Sequence, residues 1–146
     1  MRATPILLFA SLSVTSTAFG VEEFETVKFS ELKWSPCDPK NPKDACEISY
    51  FRGNPEKEAN HLYVRVPAGY EFPPHWHIHN EHVILATGAW AIGGENDSKG
   101  KTMKAGEYAY VPAKWIHWAK CLVGECVIYL HVDGPDAYID VKDKRP

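Results

Sequence analysis

The segment from Gly69 to Gly88 reads G-Y-E-F-P-P-H-W-H-I-H-N-E-H-V-I-L-A-T-G, and it decides how the rest of the chain is interpreted. It contains four of the seven histidines, with one glutamate among them: His75, His77, His79, His82 and Glu81. Imidazole and carboxylate groups are the side chains that bind borderline divalent metals. An apolar run, V-I-L-A, follows directly and F-P-P precedes, which is a poor match to a solvated polar loop. The segment therefore predicts a metal site at the edge of a β core.

Composition bounds the class of protein. The chain has 146 residues, which is enough for one domain with one core. Hydrophobic residues make up 45% of it, and this content excludes a disordered chain. The formal charge is −3 and no basic stripe is present to follow a phosphate backbone, so we expect no nucleic-acid partner.

The first twenty residues have the pattern of a signal peptide. Arg2 gives a positive start, and the apolar run from Ile6 to Val14 is too short to span a bilayer. Small residues follow, with a cleavage position near Gly20. We therefore predict a secreted or periplasmic protein that has no membrane association once the signal is removed. The alternative is that this run forms a buried first strand.

Export makes the four cysteines informative, because exported thiols usually oxidise. Cys37 and Cys46 flank a turn-rich loop, D-P-K-N-P-K-D-A, that a disulfide can close. Cys121 and Cys126 flank L-V-G-E, which we interpret as a short hairpin connection whose ends face each other. Four cysteines allow three pairings, and the two local ones, Cys37–Cys46 and Cys121–Cys126, are favoured. The alternative for Cys121 is a sulfur ligand or free thiol near the metal site.

Strand patterns dominate the rest of the chain. Leu62, Val64 and Val66 alternate with polar or aromatic residues, as in a half-buried strand. We expect no helix after the signal and about eight short strands separated by Gly and Pro, which indicates a sandwich or barrel. Residues 21–34 are interpreted as an edge strand or extended arm, and residues 35–45 as a loop. The predicted organisation is a signal peptide over 1–20, an N-terminal arm with edge strands over 21–60, a barrel core over 61–141 and a tail over 142–146.

Strand geometry selects the metal ligands. Residues two apart share a face of a strand, so His75 and His77 can point to one metal. Glu81 can return to it if the chain bends near His79. A fourth ligand must come from elsewhere, and His117, in the aromatic sequence W-I-H-W, is the best candidate. We expect one divalent metal ion, Fe, Zn or Mn, since this ligand set does not choose among them.

These residues carry a resemblance to the cupin superfamily. The pattern Gly69-x5-His75-x-His77-x3-Glu81-x6-Gly88 resembles the first cupin motif at every spacing. A later stretch, Gly106-x5-Pro112-x-Lys114-x2-His117, is similar to the second motif. Lys114 stands where the family usually has glycine, and Cys121 stands where it usually has asparagine.

The resemblance implies an all-β fold, the cupin double-stranded β-helix or jelly-roll barrel, in a single domain. It also implies a homodimer and one metal held by His75, His77, Glu81 and His117. The chain looks closest to small exported single-domain cupins and to the cupin domain of ChrR-type zinc-binding anti-sigma factors. The function expected is a metal-dependent oxidoreductase of the dioxygenase type acting on a small organic molecule. The alternative is a non-enzymatic metal- or ligand-binding and sensing module.

Several residues keep more than one interpretation. His79 can bind the metal, transfer a proton beside it or lie on a polar rim, whereas His82 is expected to point away. His131 and Tyr129 share one face of a strand, which is either the inner or the outer face of the barrel. Tryptophans close in sequence to the ligands predict an apolar pocket for a small organic or aromatic ligand: Trp76, Trp115 and Trp118.

Overall fold

A computed structural model describes residues 24–146 of the chain, so the predicted signal peptide lies outside the described residues. A 3-10 helix, Phe29–Glu31, comes first. Nine strands follow: β1 Ser35–Pro36, β2 Glu47–Arg52, β3 Asn60–Val66, β4 Glu71–Trp76, β5 Glu81–Gly94, β6 Lys101–Lys104, β7 Tyr108–Val111, β8 His117–Val132 and β9 Ile139–Asp140. Within the described part of the chain, no helix is long and apolar enough to cross a membrane.

The strands form one curled antiparallel sheet, as the cupin fold requires, so the predicted fold class is confirmed. The long strands β5 and β8 pair with each other along their length. One half of this pair continues through β3, β2 and β1 on one side and β7 on the other. The other half continues through β4 and β9 on one side and β6 on the other. The sheet therefore folds over itself into two layers that share β5 and β8.

Two glycines allow the shared strands to bend. Gly88 in β5 and Gly124 in β8 have φ angles of +85° and +69°, which side chains disfavour. A Cβ on Gly88 would lie 2.8 Å from the sulfur of Cys126, so the two bends pack closely against each other. The predicted hairpin between Cys121 and Cys126 is therefore wrong. The intervening residues bend one continuous strand, because β5 keeps pairing with β8 on both sides of the bend.

Both predicted disulfides are present, Cys37–Cys46 and Cys121–Cys126. The first closes the loop that precedes β2, and the second spans the bend of β8. No cysteine within residues 24–146 is free, so the thiol alternative for Cys121 is wrong. Two disulfides are typical of a protein that matures in an oxidising compartment.

Burial follows the alternation expected from the sequence. In β3, Leu62, Val64 and Val66 are buried and the residues between them are half-buried. These side chains join Leu85 and Ile128 in the main hydrophobic core.

The N-terminal arm differs from the prediction. It contains the 3-10 helix where a strand or extended arm was expected, and β1 lies inside the predicted loop. The ring of Phe29 holds this arm against the outer face of the sheet, because it packs edge-on against Tyr63 and Trp34.

Candidate metal centre

Three histidines meet inside the curled sheet: His75, His77 and His117. One ring nitrogen from each lies within 4.8 Å of the others. The three residues are between 3% and 7% exposed. Strand pairing brings two of them together, because His75 near the end of β4 lies opposite His117 at the start of β8.

Short backbone contacts orient two of the rings. His75 donates its Nδ1 hydrogen to the carbonyl of Pro73 at 2.7 Å, and His117 donates to the carbonyl of Trp115 at 2.9 Å. Each acceptor lies two residues before its histidine, so each strand carries its own orienting group. These bonds leave the Nε2 atoms of both rings free as lone-pair donors, which is the arrangement typical of metal-binding histidines.

Glu81 begins β5 beside the same cluster. Its Oε2 lies 3.4 Å from His77 Nε2, and its side chain is 7% exposed. Burial, together with the nearby Asp136 carboxylate, raises the pKa of Glu81 to about 8. A carboxylate held here therefore gains from a positive charge beside it.

The histidines carry no such charge at neutral pH. Burial and the neighbouring His117 lower the pKa of His75 to about 3. Burial and the other two rings hold the pKa of His77 well below its usual value, and burial lowers the pKa of His117. Three neutral imidazoles beside one carboxylate match the donor set that a divalent cation requires. The three histidines could therefore hold a metal ion, and Glu81 lies beside them without being part of the three-histidine cluster.

Hydrogen bonds fix the loop between His77 and Glu81. Asn80 accepts from the backbone N–H of Ala113 at 2.9 Å and donates to Asp133 at 2.9 Å. The backbone N–H of Lys114 donates to the His77 carbonyl at 2.8 Å. Lys114 has a φ of +64°, which explains why glycine is usual at this position of the motif. The loop before His117 thus supports the loop that carries His77.

His79 does not join the cluster. The chain bends at residues 78–79, as predicted, but the His79 ring packs against Gly134. A Cβ on Gly134 would lie 2.6 Å from three atoms of this ring. Direct metal ligation by His79 is therefore excluded in this conformation, and a packing role explains its position.

Three other histidines form a row on the outer face, across strands β3, β8 and β5: His61, His131 and His82. His82 points outward, as expected, with Nδ1 2.7 Å from the Tyr108 hydroxyl and Nε2 3.2 Å from Asp133. His131 and Tyr129 therefore lie on the outer face of the sheet, and the Tyr129 hydroxyl lies 2.7 Å from His61 Nδ1.

The metal-centre residues line one cavity of about 690 Å³. Trp76, Trp115 and Trp118, from which an apolar pocket was expected, do not line this cavity. Trp76 donates to the Lys144 carbonyl, Trp118 donates to the Asp97 carbonyl, and Trp115 stacks beside His117 outside the cavity lining. The aromatic lining comes instead from elsewhere in the chain: Tyr50, Tyr70, Phe72, Trp90 and Tyr138.

Sequence reasoning missed the contribution of the segment after β8. Asp136, Tyr138 and Asp140 all line the cavity. Tyr138 stacks on His75 with ring centroids 4.2 Å apart. Tyr50 donates a short hydrogen bond to Asp136. The two-residue spacing of Asp136, Tyr138 and Asp140 was the available signal in the sequence, since alternate residues of an extended segment share a face.

Comparison with known proteins supports this description. The sequence model of the ChrR cupin-like domain family matches residues 22–135. No curated protein sequence matches the chain.

Solved structures share the fold at low sequence identity. An RmlC-like cupin protein from Ralstonia eutropha JMP134 has a TM-score of 0.67 and 23% identity, over 85% of this chain and 77% of that one. An acetylacetone dioxygenase from Acinetobacter johnsonii has a TM-score of 0.65 and 21% identity, over 92% of this chain and 89% of that one. A putative acetylacetone dioxygenase from Methylibium petroleiphilum PM1 has a TM-score of 0.67 and 20% identity, over 87% and 88%. At these identities the likeness is one of fold.

Proposed function

Because the chain belongs to the ChrR cupin-like domain family, we propose that it is an exported protein with a single divalent metal in its cavity. His75, His77, Glu81 and His117 are the proposed ligands. The proposed activity is that of a metal-dependent oxidoreductase of the dioxygenase type, acting on a small organic molecule.

One observation carries this proposal: three neutral, buried imidazoles converge on a cavity large enough for a small molecule. Cavities of this size are typical of small-molecule sites. With Glu81, the donor set would leave a divalent ion with one net positive charge. Such an ion, when bound, would act as a Lewis acid or, as Fe(II), bring oxygen and a substrate together.

The chain's own residues would prepare the substrate. Phe72, Trp90 and Ile128 line the cavity and would exclude water around an apolar group. Asp136, which accepts from Tyr50, would hold or receive a proton at its carboxylate oxygen. The similar fold of two acetylacetone dioxygenases supports small dicarbonyl and phenolic compounds as the first substrates to test.

The family match favours a second candidate function. The matching family is described as a ChrR cupin-like domain, and this description favours a sensing module. Such a module would use the metal chiefly to stabilise the fold. This candidate predicts tight zinc as purified and no oxygen uptake with any substrate class.

Metal analysis tests the ligand set. We expect about one divalent metal per chain in the purified protein, measured by elemental analysis. His117→Ala should weaken metal binding at least about 100-fold, since it removes a ligand rather than a supporting group. His79→Ala is the matched control and should bind metal within twofold of the wild type. Unchanged metal content in His117→Ala would contradict the ligand set.

Oxygen uptake separates the two candidate functions. The protein is reconstituted anaerobically with Fe(II), and oxygen consumption is then followed with dicarbonyl and phenolic compounds. Consumption that is lost in His117→Ala and kept in His79→Ala supports the oxidoreductase. A fully metal-loaded protein that consumes no oxygen with either class favours the binding module.

A further inference from the structure

The cavity concentrates the acidic residues of the chain. Among the described residues, six acidic side chains line it against one basic side chain: Asp38, Asp44, Glu81, Asp136, Asp140 and Asp143, against Lys40. Residues 24–146 contain 17 acidic and 15 basic residues, so the described residues outside the cavity lining include 11 acidic and 14 basic ones. The acidic excess of the described chain therefore lies in the cavity lining.

Three separate segments supply these carboxylates. Asp38 and Asp44 come from the loop closed by the first disulfide, and Asp44 accepts a hydrogen bond from Tyr70 at 2.9 Å. Asp136, Asp140 and Asp143 come from the segment after β8, and Glu81 comes from the start of β5. The fold therefore brings these carboxylates together from distant parts of the chain, unlike a run of charged residues on one exposed loop.

Two of these acidic side chains, Glu81 and Asp136, have no lysine or arginine partner in the part of the chain that the structure describes. Glu81 is buried and lines the cavity, with its Oε2 3.4 Å from His77 Nε2. Asp136 accepts from the Tyr50 hydroxyl, which is an uncharged donor. Across residues 24–146, neither carboxylate forms an ion pair with lysine or arginine. A metal ion would satisfy Glu81, but the aspartates would still outnumber the positive charges.

Aromatic rings complete the surroundings of these carboxylates. Phe72 lies edge-on to Trp90 at 5.9 Å and 6.3 Å from Tyr138 between ring centroids. Tyr70 lies edge-on to Phe72 at 5.0 Å. Aromatic faces attract organic cations through the ring quadrupole, and they attract anions poorly. Carboxylates and aromatic faces together are the recognition chemistry of an organic ammonium group.

We propose that the cavity selects a small organic cation, with Asp136 pairing to its charge and the ring of Tyr138 or Phe72 packing against its apolar part. This inference rests on the proposed small-molecule function of the cavity, and it does not require the metal. Asp136 is the partner of choice because it lines the cavity and its hydrogen bond from Tyr50 fixes its position. A carboxylic acid of the same size is disfavoured by the same charges.

Three probes of similar size test this charge preference: benzylammonium, benzyl alcohol and benzoate. Each is titrated by calorimetry into wild-type protein, both metal-free and zinc-loaded. Metal-free protein should bind benzylammonium about tenfold more tightly than benzyl alcohol, and benzoate most weakly, because unit charges in a partly open cavity interact at this level. The preference should shrink as salt is raised.

Variants locate the preference. Asp136→Asn should weaken benzylammonium binding about tenfold and change benzyl alcohol binding less than twofold. Glu125→Gln removes the same charge from an exposed position outside the cavity lining, and it should change neither. Circular dichroism checks folding, and the ranking of the three probes on wild type tests the proposal even if Asp136→Asn does not fold.

Opposite results would overturn the inference. Benzoate binding to metal-free protein as tightly as benzylammonium would do so, as would an equal loss of all three probes in folded Asp136→Asn. Failure of the metal proposal is distinguishable, because it appears as missing zinc in elemental analysis while the probe ranking is kept. A protein that binds zinc with full affinity but, in its metal-free form, does not prefer benzylammonium to the other two probes would refute this inference alone.

Discussion

Lys114 gives the sharpest test of the loop that supports the metal centre. Its φ of +64° lies in the left-handed region, and its side chain is exposed. A non-glycine residue there costs about 1–2 kcal/mol relative to glycine. Glycine also makes the unfolded chain more flexible, which offsets about 0.4–1 kcal/mol of that gain. We therefore expect Lys114→Gly to raise the unfolding free energy by about 1 kcal/mol.

Thermal melts of metal-free protein measure this change. A gain of about 1 kcal/mol corresponds to a rise in Tm of about 3 °C for a domain of this length. Lys114→Ala is the matched control, because it removes the same side chain but keeps a Cβ in the left-handed conformation. It should melt within about 1 °C of the wild type.

The relative order of the two variants decides the question. If Lys114→Gly melts at or below Lys114→Ala, the left-handed conformation at this position is wrong. Zinc affinity should change less than twofold in either variant, since Lys114 acts on the site only through its backbone bond to His77.

Other perturbations address charge, disulfides and assembly. Folding raises the pKa of Glu81, so its stabilising contribution to metal-free protein is present below about pH 4.5 and is lost as pH rises toward 8. The unfolding free energy of wild type relative to Glu81→Gln, measured by urea titration, should therefore fall as pH is raised across this range. A difference that does not change with pH would contradict the burial of this carboxyl group. Replacing Cys37 and Cys46 together by serine should cost about 2–3 kcal/mol in the same assay, and a cost below about 0.5 kcal/mol would mean that this bond does not constrain the loop. His79→Ala should cost about 1 kcal/mol through lost packing, and a larger loss only in zinc-loaded protein would restore a role at the metal. The predicted homodimer should show twice the chain mass in light scattering, and a single-chain mass would refute it.

The motif residues could be placed from the sequence because their spacing and the strand period agree. His75 and His77 share a face, Glu81 follows a bend, and His117 meets His75 across two paired strands. Each of these facts depends on local geometry plus one long-range pairing, and the second motif indicated that pairing.

The bend of β8 could not be read in the same way. Four residues with a glycine between two cysteines, L-V-G-E, suit a hairpin as well as a bend. The difference lies in whether β5 continues alongside, which depends on the matching bend at Gly88. Local propensity does not contain that information, because both outcomes use the same positive φ angle.

The cavity lining was harder still. Asp136 and Tyr138 follow a glycine and a proline and lack a regular strand pattern of their own. Their position depends on β9 pairing with β4 and on the Tyr50 contact, both of which are long-range. Proximity in sequence to the ligands favoured the wrong tryptophans for the same reason.

The histidines and part of the cavity lining come from different parts of the chain. His75 and His117 lie on the paired strands β4 and β8, whereas residues 37–44 and 136–143 supply much of the acidic lining. Substitutions of Asp38 or Lys40 should alter which molecules enter while the three histidines stay in place. A library randomised at Asp38, Lys40 and Asp44 would therefore explore new ligand preferences, whereas Tyr138 and Asp140, which contact His75, are kept. That separation makes the protein a practical starting point for directed evolution of selectivity.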